Sequence, residues 1–194
     1  MVDEEMRRRI VDAADALYYA RGFHAVGMDE VRDTAGVSLR RLYQLFPSKD
    51  DLVLAVLAKR HDLWSDGVAA RVASVDGAEA KLLAIYDYLA DWFIEDTFRG
   101  CGFINAFGEL GAADPRVAEA ARLHKESFQA FVAALAADAG ASPALAPQLA
   151  ILAEGAQTTA AIAGTPDAAA DARAAAQVLI RAALPSTAPP SSAP

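Results

Sequence analysis

Residues 27–52 read GMDEVRDTAGVSLRRLYQLFPSKDDL, and the spacing of their apolar positions decides the fold. Met28, Val31 and Ala35 recur at three and four residues, which predicts a short helix over 28–35. Gly36 follows the last periodic position, where a residue in the left-handed conformation turns the chain sharply out of a helix. Ser38 then offers a side-chain oxygen to the exposed amides of a second helix running from Leu39 to Leu45 or Phe46. Too little chain separates the two helices for anything but a tight corner. The second helix is about 12 Å long at 1.5 Å per residue, and a DNA major groove is about 12 Å wide.

Leu39, Leu42 and Phe46 form the inward stripe of this helix, so Ser38, Arg40, Arg41, Tyr43 and Gln44 are left largely for solvent. These are side chains that contact phosphates and base edges. The window from Gly36 to Lys49 holds Arg40, Arg41 and Lys49 and no acid, in a chain that is acidic elsewhere. A helical corner with merely solvated arginines accounts for the Arg pair equally well. With Met28 and Lys49 added, the candidate DNA-binding set is Met28, Ser38, Arg40, Arg41, Tyr43, Gln44 and Lys49.

The run AGVSLRRLYQLFPSKDDL, with GFHAVGMDEVRDT before it, resembles the DNA-binding segment of the TetR family of bacterial transcriptional regulators. The shared pattern is a Gly-Val-Ser turn, a helix bearing a Tyr, a Phe, and a Ser-Lys-acid-acid-Leu helix start, and it covers roughly Arg7 to Leu57. The resemblance implies phosphate contacts from Tyr43 and Lys49. Three departures from the family pattern involve four positions. Arg40 and Arg41 stand where small residues are usual, Gly27 where a Thr or Ser cap is frequent, and Arg32 where an Ala is usual. The forked guanidinium suits Arg40 and Arg41 to guanine.

With 194 residues, 54% of them hydrophobic, the chain can fill a substantial core. No run approaches the ~18–20 apolar residues of a membrane span, and the N-terminus does not read as a signal peptide. A cytoplasmic, bacterial protein with no membrane association is expected. Cys101 is the single cysteine, so no intrachain disulfide can form. The net charge of −8 is unevenly spread: residues 1–50 carry eight Lys or Arg against nine acids, and the remainder ten against seventeen. DNA affinity would have to come from local placement of cations and would weaken with added salt.

Residues 4–22 predict a first helix with an apolar stripe at Ile10, Ala13, Ala14, Leu17 and Tyr18, stopped by Gly22. Arg7, Arg8 and Arg9 near its start read as a solvated cluster or as backbone contacts to DNA. His24 reads as an exposed loop residue. Ser48 with Asp51 three positions on is a capping box, opening a helix to Trp64 or beyond. Asp76 and Glu79 signal another start, followed by Leu82, Ile85, Tyr86, Leu89, Trp92 and Phe93 at helical spacing. A short helix spans 103–110, and Asp114-Pro115 opens a long one to about Ala139, with Val117, Ala121, His124, Phe128, Phe131 and Leu135 inward. Two alanine-rich helices complete the chain, 144–163 and 167–184. The first has a stripe of Leu145, Leu149, Leu152, Ala156, Thr159 and Ile162, the second one of Ala175, Val178, Leu179 and Ala182. The tail from Pro185 has no periodicity and is expected to be disordered.

These readings assemble into an all-α chain of about nine helices. A three-helix helix-turn-helix DNA-binding domain (1–50) precedes a helical effector-binding and dimerisation domain (51–184) and a disordered tail (185–194). Trp92 to Phe131 brings aromatics together with His124, Asn105, Glu109 and Cys101. Such a mixture reads either as core or as an apolar pocket with a few oriented polar groups. The resemblance favours a pocket for a small effector, with His61, Trp64, Trp92, Phe93, Phe103, Phe107, His124, Phe128 and Phe131 as candidates. It also implies homodimerisation through helices 144–163 and 167–184, on a palindromic double-stranded operator.

The function expected is a ligand-responsive regulator, most readily a repressor released by an apolar or amphipathic effector. The alternatives are a DNA-binding regulator responding to a protein partner or to oxidation of Cys101, and an all-α enzyme using His124 with Glu109. Against an enzyme stand the missing paired-His metal spacing, phosphate loop and serine elbow. His24, His61 and His124 look too scattered in sequence to form a site. No catalytic residue, metal or cofactor is expected.

Overall fold

The computed structural model describes residues 2–184, so the expectation for the tail from Pro185 lies outside the described residues. Among these, nine α-helices and no strand are formed: α1 (Val2–Arg21), α2 (Met28–Ala35), α3 (Leu39–Leu45), α4 (Lys49–Ala73), α5 (Ala78–Phe93), α6 (Gly102–Leu110), α7 (Pro115–Asp138), α8 (Leu145–Ala163) and α9 (Asp167–Ala183). The all-α architecture of nine helices is the one expected. Packing divides the described residues into two compact units, 2–66 with 95–126, and 67–94 with 127–184. This division is not the segmentation at residue 50 read from the sequence, because α6 and the start of α7 join α1–α3 in one unit.

The core of the first unit explains that grouping. Ile10, Ala14 and Tyr18 of α1, Val31 of α2, Leu42 of α3 with Phe46 after it, and Leu52, Val53 and Val56 of α4 are all buried together with Phe103 and Ala106 of α6 and Val117 of α7. Gly36 takes the left-handed conformation (φ 63°), and its amide reaches the Arg32 and Asp33 carbonyls. Ser38 caps α3, its hydroxyl accepting from the Arg41 amide at 3.2 Å. The capping box forms as read: the Ser48 amide donates to Asp51 Oδ2 at 3.1 Å, and the Asp51 amide to Ser48 Oγ at 3.1 Å.

The basic cluster near the start of α1 is partly spoken for. Arg7 Nη1 donates to the Leu45 carbonyl at 3.0 Å and its guanidinium lies 4.4 Å from the centre of the Phe46 ring. There it meets the partial negative charge at the C-terminal end of α3. Arg9 Nη2 donates to the carbonyls of Ala35 at 2.6 Å and Gly36 at 3.2 Å. Arg9 thus holds the corner from behind and Arg7 the end of α3, while both side chains stay exposed, as the solvated reading of the cluster requires.

In the second unit, Leu82, Ile85, Tyr86 and Leu89 of α5 are buried, as are Leu145, Leu149 and Ala153 of α8 and Ala172, Ala176 and Ile180 of α9. The Tyr86 hydroxyl donates to the Leu149 carbonyl at 2.8 Å. Arg173 pairs with Asp87 at 2.6 Å and Arg181 with Glu79 at 2.8 Å. Three local readings are corrected. Gly77 at φ 91°, not Asp76, precedes α5, with no side-chain cap. Thr159 and Ile162 leave the buried stripe of α8, which continues through Ala153 and Ala160. On α7, Val132 and Ala136 are buried where Phe131 and Leu135 were expected. On α8 the assumed stripe stepped on average by less than a full helical turn and so rotated off the buried face, whereas on α7 the buried line runs in successive four-residue steps from His124 through Phe128 to Val132 and Ala136.

A Cβ at Gly36 would meet only Arg9 Nη2, at 3.6 Å, so the demand for glycine there is conformational. Gly36→Val is expected to lower the unfolding free energy by about 1–2 kcal/mol in urea titrations, while Gly36→Asn, which tolerates the left-handed region, retains most of the stability.

Candidate nucleic-acid interface and imidazole cluster

α3 presents its outer face as the periodicity requires. Arg40, Gln44 and Ser38 are exposed, and Tyr43 is 45% exposed although it is a large aromatic. Leu42 and Phe46 are fully buried beneath them, so the backbone of α3 is fixed while its outer side chains remain accessible. Met28 and Lys49 are half-buried at the starts of α2 and α4. The Lys49 ammonium lies 5.8 Å from the centre of the Tyr18 ring.

The two arginines on α3 differ. Arg41 is half-buried and tied to α1: it forms an ion pair with Asp3, and its Nε approaches Met6 Sδ at 3.4 Å. Its Nη1 donates to Gln44 Oε1 at 3.2 Å. On α2, Arg32 is engaged by Asp29 at 3.3 Å and Asp33 at 2.7 Å.

Contacts invisible in the local sequence join α1–α3 to the rest of the unit. Asp15 is buried on α1 and accepts from Lys59 Nζ at 3.0 Å and from Arg60 Nε on α4. The Arg60 guanidinium also lies 3.5 Å from the centre of the Tyr19 ring. The Tyr19 hydroxyl donates to the Gly100 carbonyl at 2.7 Å and accepts from the Arg99 amide at 3.0 Å. His24 is exposed as expected, yet its amide donates to Glu109 Oε2 and its Nε2 sits against the Glu109 carbonyl, both at 2.9 Å. Arg116 at the start of α7 bonds Asp51 at 3.0 Å, the acid of the capping box. The hydroxyl of Ser48, then Arg116, hold the Asp51 carboxyl below the usual carboxylate range. A signal for Asp15 existed: it falls on the buried face of α1, between Val11 and Tyr18 at helical spacing. The partners of Tyr19, His24 and Asp51 carried none.

Four effector candidates come together in the first unit. His61 Nδ1 and His124 Nδ1 are 3.0 Å apart, the His124 ring stacks on Phe103 at 3.8 Å between centres and 4° between planes, and Trp64 meets His124 edge-on at 5.3 Å. This corrects the reading of the histidines as scattered, since α4 and α7 bring two of them into contact. A bond between two Nδ1 atoms requires one ring to donate and the other to accept. Burial, with smaller effects of Lys125 and His61, pushes His124 down to about 3, which favours its neutral form at physiological pH. Cys101 is buried, with Lys125 Nζ 3.6 Å from its sulfur.

Other polar and aromatic candidates lie elsewhere. Phe107 is 56% exposed on α6 and does not join this cluster. Asn105 donates to the Arg99 carbonyl at 3.1 Å and Glu109 serves His24, so neither is a pocket group, and Glu109 is not paired with His124. Both follow from α6 turning its polar side toward the loops around it. Trp92, Phe93, Phe128 and Phe131 belong to the second unit, where the Trp92 and Phe93 rings are 6.1 Å apart and Phe93 and Phe128 are buried. Among the described residues, no three His, Cys, Asp or Glu side chains are arranged to hold a metal, and no helix is long and apolar enough to cross a membrane.

Residues 10–56 match the pattern of the bacterial regulatory proteins, tetR family. The chain is 36% identical over 124 residues to the HTH-type transcriptional activator FasR of Mycolicibacterium smegmatis, covering 64% of this chain and 55% of that one. It is 41% identical over 59 residues to the HTH-type transcriptional repressor KstR of Rhodococcus jostii, covering 30% of this chain and 28% of that one. Thus it spans about half or less of the length of these curated relatives. A TetR-family transcriptional regulator from Streptomyces coelicolor superimposes with a TM-score of 0.85 at 29% identity, over 93% of this chain and 96% of that one. These proteins are regulators of transcription, not enzymes.

Keeping His124 neutral has a cost in acid. The unfolded imidazole protonates near pH 6.5 while the folded one resists to about 3, so stability is fully present above the unfolded pKa and falls as pH drops from about 6.5 toward 3. Urea titrations between pH 6.5 and 4.5 are expected to show a loss of up to ~1.4 kcal/mol per pH unit from this group, and His124→Gln to flatten the slope.

Proposed function

The chain belongs to the TetR family of bacterial regulatory proteins, and from that premise we propose that it acts as a dimeric, ligand-responsive DNA-binding regulator. The observation that carries this reading is α3 itself. A rigidly anchored helix turns Ser38, Arg40, Tyr43 and Gln44 outward, and no acid lies between Gly36 and Lys49. Arg40 is a base or phosphate contact, Tyr43 and Lys49 are phosphate contacts, and Met28 and Ser38 flank them. In the proposed division of labour residues 1–50 read DNA and 51–184 receive the signal.

Dimerisation is proposed through α8 and α9. Ile151 and Ile162, eleven residues and three turns apart, share one face of α8 and are 70% and 83% exposed, and Val178 on α9 is 69% exposed. Apolar side chains this exposed at helical spacing are what a helix–helix interface covers. Ala174, Ala175 and Ala182 beside Val178 are small enough for close packing. A twofold pair would carry two α3 helices to half-sites about 34–36 Å apart on a palindrome.

Effector response is proposed at the imidazole cluster, where an apolar or amphipathic compound would compete for His61, Trp64, Phe103 and His124. Repression relieved by that compound is the preferred mode. Its binding must differ in strength between the DNA-bound and released conformations, since equal affinity shifts nothing.

Selection from a random duplex library tests this reading. A palindrome is expected to be enriched, and Arg40→Ala with Tyr43→Phe to weaken its binding at least about tenfold in gel-shift titration. Failure of the protein to retain any duplex at low salt would sink the reading. Independently, Ile151→Glu with Ile162→Glu is expected to convert a dimer to a monomer by sedimentation equilibrium.

A further inference from the structure

Arg40 and Arg41 are adjacent in sequence, but Arg41 does not project freely. Its guanidinium is held by the Asp3 carboxylate, the Met6 sulfur and the Gln44 carbonyl oxygen. A guanidinium has five N–H donors and no acceptor. The atom of the Gln44 amide that faces it must therefore be the oxygen, and the amide nitrogen with its two donors is turned away. This fixes an orientation that a glutamine on a bare helix would choose for itself on meeting a base.

Orientation matters because a free glutamine reads adenine with both ends of its amide, accepting from N6–H2 and donating to N7. Guanine offers only acceptors on that edge, N7 and O6. With one lone pair of Oε1 taken and a cation beside the other, the N6 amino group of adenine would have to approach a guanidinium. Resting on the proposal that α3 enters the major groove, we infer that Arg41 is a positioning residue that converts Gln44 from an adenine reader into a donor that selects guanine. Asp3, the second residue of α1, keeps Arg41 at this post by holding its far side. Arg40, one residue back and exposed, makes its own contact.

The test uses the full chain and the duplex enriched by selection. The base pair read by Gln44 is the one whose preference disappears in Gln44→Ala. Competition with single-base variants of the duplex is expected to give about a tenfold preference for guanine over adenine there. Arg41→Met, which cannot donate, reverses that preference, and Asp3→Asn weakens it several-fold without reversal. A cooperative thermal melt followed by circular dichroism reports that each variant is folded. An adenine preference in the parent protein, a Gln44→Ala variant that changes no position, or unchanged guanine preference in Arg41→Met overturns the inference. Should Arg41→Met fail to fold, full guanine preference in Asp3→Asn overturns it instead. If the parent protein enriches no duplex, the DNA-binding reading itself fails, which is a different result from enrichment with the wrong base.

Discussion

A seven-residue helix is too short to persist in water alone, because nucleating it fixes several residues before many hydrogen bonds form. α3 exists because Leu42 and Phe46 are fully buried in a core shared with α1, α4, α6 and α7. Every outward property of α3 follows from this burial. Its exposed residues are held by the backbone from which they project, so a contact surface is prepared before any partner arrives.

The corner that positions α3 is secured twice. Gly36 supplies a left-handed turn, and Arg9 ties its carbonyls to α1 from behind, while Arg7 does the same for the end of α3. Both side chains stay exposed, yet each commits part of its donor capacity to the backbone of the neighbouring helices. Charge in a sequence thus does not say which groups a surface cation is already bonded to. The same holds for Arg41, which its ties to Asp3 and Gln44 separate from Arg40.

The first unit also offers routes by which events at α6 and α7 can reach the helices around α3. Tyr19 bonds the segment before α6, Glu109 at its end grips the loop after α1, and Arg116 on α7 bonds the acid that caps α4. Each contact joins polar atoms across elements remote in sequence. A shift of α6 or α7 within this unit would therefore strain hydrogen bonds at three places around the α1–α4 core.

The local sequence determined the helices, the Gly36 corner, the Ser38 cap and the Ser48–Asp51 box, because each depends on residues within about one turn of one another. It also indicated the buried stripe of α3, since periodicity over seven residues leaves little room for drift. Tertiary structure alone decided the rest. It paired His61 with His124, sent Glu109 to His24, buried Asp15 beside Lys59 and Arg60, left Phe107 in solvent, and separated the fates of Arg40 and Arg41. In each case the deciding partner sits on another helix, and side-chain periodicity specifies which face is buried but not which residue it meets there.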